Sequence, residues 1–202
     1  MGRVIASLFS AVACAVTVGV AVPADAQSPT SQPLGGAAVP GVCLLSRQVL
    51  FAEARVGIAA TARLQQLTEE ARAEVAAATA PVDADVNAFQ AEQAKLIPAQ
   101  RQAREQALAL RVQALRAKAQ QRNREIEATR DKVMRQIAND AEPVLMQVYR
   151  ARNCGLLIDR SVVLGGNMTN DLTPAVIQGL DARITTISFN REVLPAQAPA
   201  GK

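Results

Sequence analysis

Apolar residues in the middle of the chain recur every three or four positions, with polar residues between them. Between residues 47 and 153 this pattern forms two series. The first consists of Leu64, Leu67, Ala71, Val75, Ala78, Val82, Val86 and Phe89. The second consists of Leu108, Val112, Leu115, Ala119, Ile126, Val133 and Ile137. Such spacing places apolar side chains on one face of a helix. The sequence therefore predicts two long amphipathic helices.

Proline positions indicate where the first helix ends. Pro98 lies between the two series, and Pro81 is a rival break. Proline lacks a backbone donor and biases the preceding residue away from the helical region. A turn near Pro98 divides residues 47–153 into two arms of nearly equal length, which can pack along each other. We expect an antiparallel hairpin with arms of about 75 Å, its tip near Pro98 and kinks at Pro81 and Pro143.

Two short apolar fragments flank this hairpin, "GVCLLS" at residues 41–46 and "NCGLLIDRSVVLGG" at residues 153–166. Because the hairpin carries the chain out and back, the fragments meet and can pair as strands. The second fragment can bend into two short strands around residues 159–161. The predicted strand residues are Val42, Leu44, Leu45, Leu156, Leu157, Ile158, Val162 and Val163.

A short helix is expected after the strands, with Asp171 or Thr173 as its cap and Pro174 in its first turn. Residues 41–46 and 154–190 then form a small β-rich base, and residues 47–153 form the arm. The predicted class is α+β, mainly α. A sheet of two or three strands is marginal alone, so another copy of the chain would complete the base.

The first 26 residues have the features of a secretory signal peptide. A short positive end with Arg3 precedes an apolar run, and a small-x-small site follows at residues 24–26. The alternative is a membrane anchor, because the run has about 19 residues, close to spanning length. The composition of residues 27–40 and 191–202 predicts flexible segments. We expect an exported chain in a periplasm.

Two cysteines, Cys43 and Cys154, remain after cleavage of the signal peptide. Both lie at the predicted base, and an oxidising compartment favours pairing. They form a candidate disulfide; the alternative is two unpaired thiols that act as small apolar residues. The spacing along the chain does not decide between these alternatives.

The composition argues against an enzyme. The chain has no His, and the sequence contains no metal-ligand cluster, Gly-rich phosphate loop or nucleophile beside a base. We therefore predict no catalytic residues, metal or cofactor. Nucleic-acid binding is disfavoured, despite a pI near 9.3, by the export signal and the scarcity of aromatic residues.

Charge is distributed unevenly along the arm. Residues 53–85 contain three Arg and six carboxylates, whereas residues 95–135 contain eleven Lys or Arg and four carboxylates. A solvated helix face is one explanation. A positive field that attracts acidic partners, or a membrane surface, is the other. The candidate binding residues are Arg101, Arg104, Arg111, Arg116, Lys118, Arg122 and Arg124.

The order of parts over residues 41–182 resembles the Skp/OmpH family of periplasmic chaperones for outer-membrane proteins. The specific features are residues 41–46, residues 155–164, and "DLTPAVIQGLD" at residues 171–181. The resemblance implies a homotrimer whose strands join in one body, with three helical hairpins around a cavity. It also implies that unfolded outer-membrane proteins are held there without ATP. The competing hypothesis is a structural or adaptor coiled coil of the cell envelope.

Overall fold

The computed structural model describes residues 35–195. The predicted signal peptide and most of the segment predicted to be flexible before the base lie outside these residues. The strands are β1 (Val42–Leu45) and β2 (Leu156–Asp159). The α-helices are α1 (Arg47–Glu53), α2 (Arg55–Glu92), α3 (Pro98–Ala151) and α4 (Thr173–Asp181). The mainly helical class with a small strand element agrees with the sequence prediction.

Helices α2 and α3 form a hairpin whose tip lies directly before Pro98. A 3₁₀ turn at Gln93–Lys95 ends the first arm, and Ile97 is extended before α3 begins. Pro98 suits the first turn of a helix because no intrahelical partner awaits its missing N–H. Helix α2 continues through Pro81, and α3 continues through Pro143.

The sequence pattern predicted one long helix in the first arm, but the structure divides this arm into two helices. Ala54 is extended, with ψ 139°, and separates α1 from α2. The backbone amide of Arg55 donates to the carboxylate of Asp181 at 2.8 Å, which satisfies a free N–H at the start of α2. Gly57 then passes so close to α1 that a Cβ there would lie 2.0 Å from the carbonyl oxygen of Phe51.

Strands β1 and β2 pair in parallel, with Val42 opposite Leu156 and Leu45 opposite Asp159. On its other side, β1 contacts the segment before α4. The Leu44 amide donates to the Asn170 carbonyl at 3.0 Å, and the Leu172 amide donates to the Leu44 carbonyl at 2.8 Å. Strand β1 is therefore central, and β2 lies at an edge.

The prediction of strand structure at Val162 and Val163 was wrong. Val162 lies in a 3₁₀ turn, and Val163 follows it outside any strand. The carboxylate of Asp159 accepts the backbone N–H of Ser161 at 2.9 Å. This local bond turns the chain away from the ladder immediately after β2.

The core lies at the base, where α4 packs against the ends of the arms. Its buried members are Cys43, Leu45, Leu50, Ala54, Val56, Ala60, Val133, Ile137, Ala141, Val144, Leu172, Val176 and Leu180. Cys43 and Cys154 are joined by a disulfide, with their Cα atoms 5.8 Å apart. The bridge connects the two ends of the hairpin.

After α4 the chain leaves the base and runs along the hairpin. We call residues 184–195 the C-terminal strap. Ile184, Ile187 and Phe189 pack against the core, and Arg191 and Glu192 contact the arm helices. The sequence had placed the end of the base at residue 190 and a flexible tail after it, whereas residues 191–195 lie along the arm.

Removal of the disulfide tests how strongly the base depends on this link. The bridge spans 111 residues, and closure of so long a loop stabilises the folded chain by about 4–5 kcal/mol in the chain-entropy model. The Cys43→Ala/Cys154→Ala variant should lose about this much free energy of unfolding, measured by denaturant titration at fixed protein concentration. Reduced wild-type protein is the control and should match the variant. Equal stability of the oxidised protein and the variant would contradict the prediction.

Candidate functional site: the arm and the open sheet edge

A ladder of ion pairs links the two arms. From the tip towards the base, Glu92 pairs with Arg104 at 2.8 Å, Asp85 pairs with Arg111, and Glu74 pairs with Arg122 at 2.6 Å. Each step of seven or eleven residues along α2 is matched by an equal step along α3. The ladder therefore fixes one antiparallel register over the outer half of the hairpin.

The ladder changes the interpretation of the predicted basic surface. Arg104, Arg111 and Arg122 are paired with acidic residues of α2. At the tip, Arg101 donates to the carbonyls of Gln93 and Leu96. The local charge imbalance is thus partly neutralised, because the acidic stretch of α2 faces the basic stretch of α3.

The other predicted cations differ in their surroundings. Arg124 donates to the side chain of Gln121. Arg116 is exposed and Lys118 is half-buried, and neither forms an ion pair with another described residue. Arg130, which the sequence analysis did not select, is exposed and equally lacks such a pair. On the arm, these last three residues carry positive charge that no described carboxylate pairs with.

A buried carboxylate holds the middle of the arm together. Glu125 is only 2% exposed. It accepts from the Gln121 amide at 2.9 Å and from Arg122 at 2.7 Å, and it lies 3.3 Å from the guanidinium of Arg191 in the strap. Arg191 also pairs with Glu74 of α2 at 2.8 Å. Two helices and the strap therefore share one charged network.

The network shifts the ionisation of its members. Arg191 and Arg122 donate to Glu74 and lower the pKa of its carboxyl. Burial alone would raise the pKa of Glu125, but hydrogen bonds from Gln121 and Arg122 lower it overall. The hydrogen bond to Glu74 raises the pKa of Arg122. All three groups are thus held in their charged forms.

A second surface of the arm forms an open groove of about 590 Å³ between α2 and α3. Its floor contains small and branched apolar side chains, and three guanidinium groups line it. The lining residues are Thr68, Ala71, Arg72, Val75, Ala76, Ala119, Arg122, Asn123, Ile126, Glu127 and Arg130. Ile126 follows Glu125 by one residue and so points about 100° away from it. The groove therefore lies on a different face from the strap.

The base presents an unpaired sheet edge. The two strands make a sheet of order β1-β2, and no described segment pairs with the outer edge of β2. Leu156 in β2 is 53% exposed. Among the exposed large apolar residues, Leu156 lies in β2, and Val162 and Leu164 follow it directly in the chain. An edge of this kind is a template for pairing with another chain.

The predicted oligomerisation residues divide into two groups. Leu44 and Leu45 are buried within this chain. Val42, Leu157, Ile158 and Val163 are half-buried, and Leu156 and Val162 are exposed. Only the second group has surface available for contact with another molecule.

Two charged pairs fix the end of β2. The Ser161 amide and the Arg47 guanidinium bond to Asp159 and lower its pKa to about 2. Arg160 pairs with Asp171 at 2.7 Å. Burial would raise the pKa of Asp171, but bonds from Thr173 and Arg160 lower it overall. These bonds hold both carboxylates in their charged forms beside the end of the strand.

The strap and its charged network were not predicted from the sequence. One pattern could have revealed it: Ile187, Phe189 and Arg191 alternate with Ser188 and Asn190. Such alternation predicts an extended segment with one buried face.

Within residues 35–195, no helix is long and apolar enough to cross a membrane, and no group of His, Cys, Asp and Glu could hold a metal ion.

Substitution of Glu125 tests the charged network. Glu125→Gln retains the shape but removes the charge that Arg122 and Arg191 contact. The free energy of unfolding at pH 7 should fall by about 1.5–3 kcal/mol, as for hydrogen bonds to charged groups. The exposed neighbour Glu127→Gln is the control and should change stability by less than about 0.5 kcal/mol.

The pH dependence gives a second measurement on the same pair of proteins. The folded pKa values of Glu74 and Glu125 lie below the ordinary value of 4.5. Their stabilisation is therefore complete above that pH and is lost as the pH falls through the folded values. The difference between wild type and Glu125→Gln should narrow below pH 4.5. A difference that stays constant down to pH 2, or equal stability at pH 7, would contradict the role of the carboxylate.

Comparison with known proteins identifies the family to which this architecture belongs. Residues 41–180 match the family model of OmpH-like outer membrane proteins. A crystal structure of a Caulobacter crescentus CB15 protein, described as a candidate outer membrane chaperone of OmpH-like type, has 32% sequence identity and a TM-score of 0.70. The match covers 82% of this chain and 98% of the Caulobacter chain. A search among curated proteins found no significant match. The family model and the structural match support a chaperone role, and the chain belongs to the OmpH-like family.

Proposed function

We propose that this protein is an ATP-independent periplasmic holdase that binds unfolded outer-membrane proteins and prevents their aggregation. The observation that carries the proposal is the open groove of the arm, with its apolar floor and its guanidinium rim. Such a surface can hold apolar segments weakly and attract acidic ones. Membership of the OmpH-like family supports the same function.

The arm suits reversible binding. Its seam is thin: the buried apolar residues of α2 beyond the base are Leu67, Ala71, Val82 and Phe89. Few buried contacts and long solvent-exposed helices give a low local stability. An arm of this kind can adapt its spacing to unfolded chains of different size, which a rigid cavity could not do.

A homotrimer is the second part of the proposal. The outer edge of β2 and its apolar neighbours would pair with other copies of the chain, and three arms would then surround a cavity. A small sheet is marginal alone, and this edge supplies both hydrogen-bonding groups and apolar area.

Light scattering tests the trimer. The processed protein should have about three times the mass of one chain. Leu156→Lys/Val162→Lys places charges on the exposed edge and should yield monomers, because burial of unpaired charge is costly. Arg150→Gln, an exposed position near the end of α3, is the control and should leave the mass unchanged. A stable monomer of the unmodified protein would contradict the architecture.

The holdase activity is tested by dilution of a urea-denatured outer-membrane protein. The processed protein should suppress light scattering from the aggregating client without ATP. A client that aggregates equally with and without the protein would refute the function.

Salt dependence tests the remaining cations. Arg116→Gln/Lys118→Gln/Arg130→Gln should slow capture of an acidic client several-fold at low salt, since rim charges mainly set association rates. The effect should fade at high ionic strength, because electrostatic attraction extends over only about 3 Å in 1 M salt. Arg150→Gln/Arg152→Gln/Arg183→Gln removes equal charge at the base and is the control. Equal loss in both variants would show that net charge, and not the arm, attracts the client.

An adaptor coiled coil of the envelope, or one that contacts a membrane surface, is the second candidate. Ile97 at the hairpin tip is 60% exposed, and Lys95 and Arg101 lie nearby in the chain. An apolar tip with adjacent cations would suit docking. Two results together would favour this candidate. The protein would fail to protect clients from aggregation, and Ile97→Ser would abolish binding to a stable partner in the envelope.

A further inference from the structure

The C-terminal strap lies on the arm as an extended peptide. Ile187, Phe189 and Arg191 are half-buried, whereas Ser188 and Asn190 are exposed. This two-residue alternation is the geometry of a strand with one face against a surface. The strap belongs to no sheet in the described chain, so the surface that orders it consists of helix side chains.

Three of these side chains bind backbone groups of the strap. Gln121 of α3 donates to the Leu194 carbonyl at 2.7 Å, and the Glu192 amide donates to the Thr129 hydroxyl at 2.9 Å. Arg63 of α2 donates to the Phe189 carbonyl at 3.5 Å. Every peptide presents these backbone groups, so the bonds do not depend on the sequence of the occupant. We call the surface that includes Arg63, Gln121 and Thr129 the strap groove.

Side chains of the strap add contacts that are specific to it. Arg191 pairs with Glu74 and Glu125, and Glu192 pairs with Lys132 at 2.7 Å. The partly exposed pair of Glu192 with Lys132 is expected to stabilise the strap only weakly. In contrast, Ile187 and Phe189 anchor the start of the strap in the base core. The strap can therefore leave the arm from its outer end while the base stays folded.

We propose that the strap groove is a peptide-binding site whose intramolecular occupant is the strap. Its other ligands are extended segments in which apolar and polar residues alternate. Transmembrane β-strands have this period-two pattern, so the inference rests on the proposed function and names the segments that a client would present. The tethered strap competes at an effective concentration that is typically millimolar for short linkers, which keeps the groove closed until a client arrives.

The test measures binding of a fluorescent peptide with the sequence of residues 184–195 to the full chain. Glu192→Pro removes the N–H that donates to Thr129 and leaves both helices unchanged. If this substitution weakens binding of the strap to the strap groove about tenfold, the fraction of molecules with an empty strap groove rises about tenfold. The apparent affinity for the probe rises by the same factor. Arg191→Ala removes a different contact of the strap, its pairing with Glu74 and Glu125, and should also raise the apparent affinity for the probe. Fluorescence anisotropy gives the affinities.

Two further variants assign the binding to the groove. Thr129→Val, added to Glu192→Pro, removes the acceptor at nearly equal volume and should cancel most of the gain. Arg72→Ala, which changes the open groove on the other face, is the matched control and should leave the gain unchanged. No gain in either release variant, or a gain that persists with Thr129→Val, would overturn the proposal.

Peptide sequence tests the ligand class. A peptide with alternating Val and Thr should compete with the probe, whereas a peptide of equal composition with its Val residues in one block should compete several-fold less. Equal competition by both peptides would refute recognition of alternation. The client-aggregation assay on the unmodified protein separates the two proposals. Client protection without any gain in probe binding would refute the strap groove alone, and probe exchange without client protection would refute the holdase function alone.

Discussion

Parallel pairing of β1 with β2 sets the geometry of both the base and the arm. Parallel neighbours require a long crossover connection, and here the crossover is the entire helical hairpin between Leu45 and Leu156. Both ends of the hairpin are therefore fixed at one place. The disulfide, the α4 core and the bond from Arg55 to Asp181 all lie at this place. Because the base holds both ends, the arm itself can remain thin.

The arm is stabilised by a different kind of interaction from the base. Apolar burial dominates near α4, whereas the middle of the hairpin buries Glu125 and Thr129. Its register comes from the ion pairs Glu92–Arg104, Asp85–Arg111 and Glu74–Arg122. Exposed ion pairs specify geometry more than they stabilise it. The result is an arm with a defined alignment and little stabilisation from burial.

The two faces of the arm differ in what they offer. One face is covered by the strap, which binds through backbone hydrogen bonds and through Arg191. The other face is the open groove with Val75 and Ile126 on its floor and Arg130 at its rim. Arg122 contributes to both, because it lines the groove and bonds to Glu74 and Glu125. Arg122 therefore connects the charged network to the open groove.

The mainly helical class, the two long helices and the resemblance to the OmpH-like family could all be predicted from the sequence. These features depend on local periodicity, on Pro98 and on short segments such as residues 171–181, all of which are present in the linear pattern. Which charges remain unpaired, in contrast, depends on contacts between distant segments of the folded chain. Arg104, Arg111 and Arg122 belong to a basic stretch in the sequence, yet acidic residues 12 to 48 positions away neutralise them. The break at Ala54, the end of β2 at Asp159 and the position of the strap also depend on contacts between distant segments. Periodicity describes which face of an element is apolar, but not which partner that face meets.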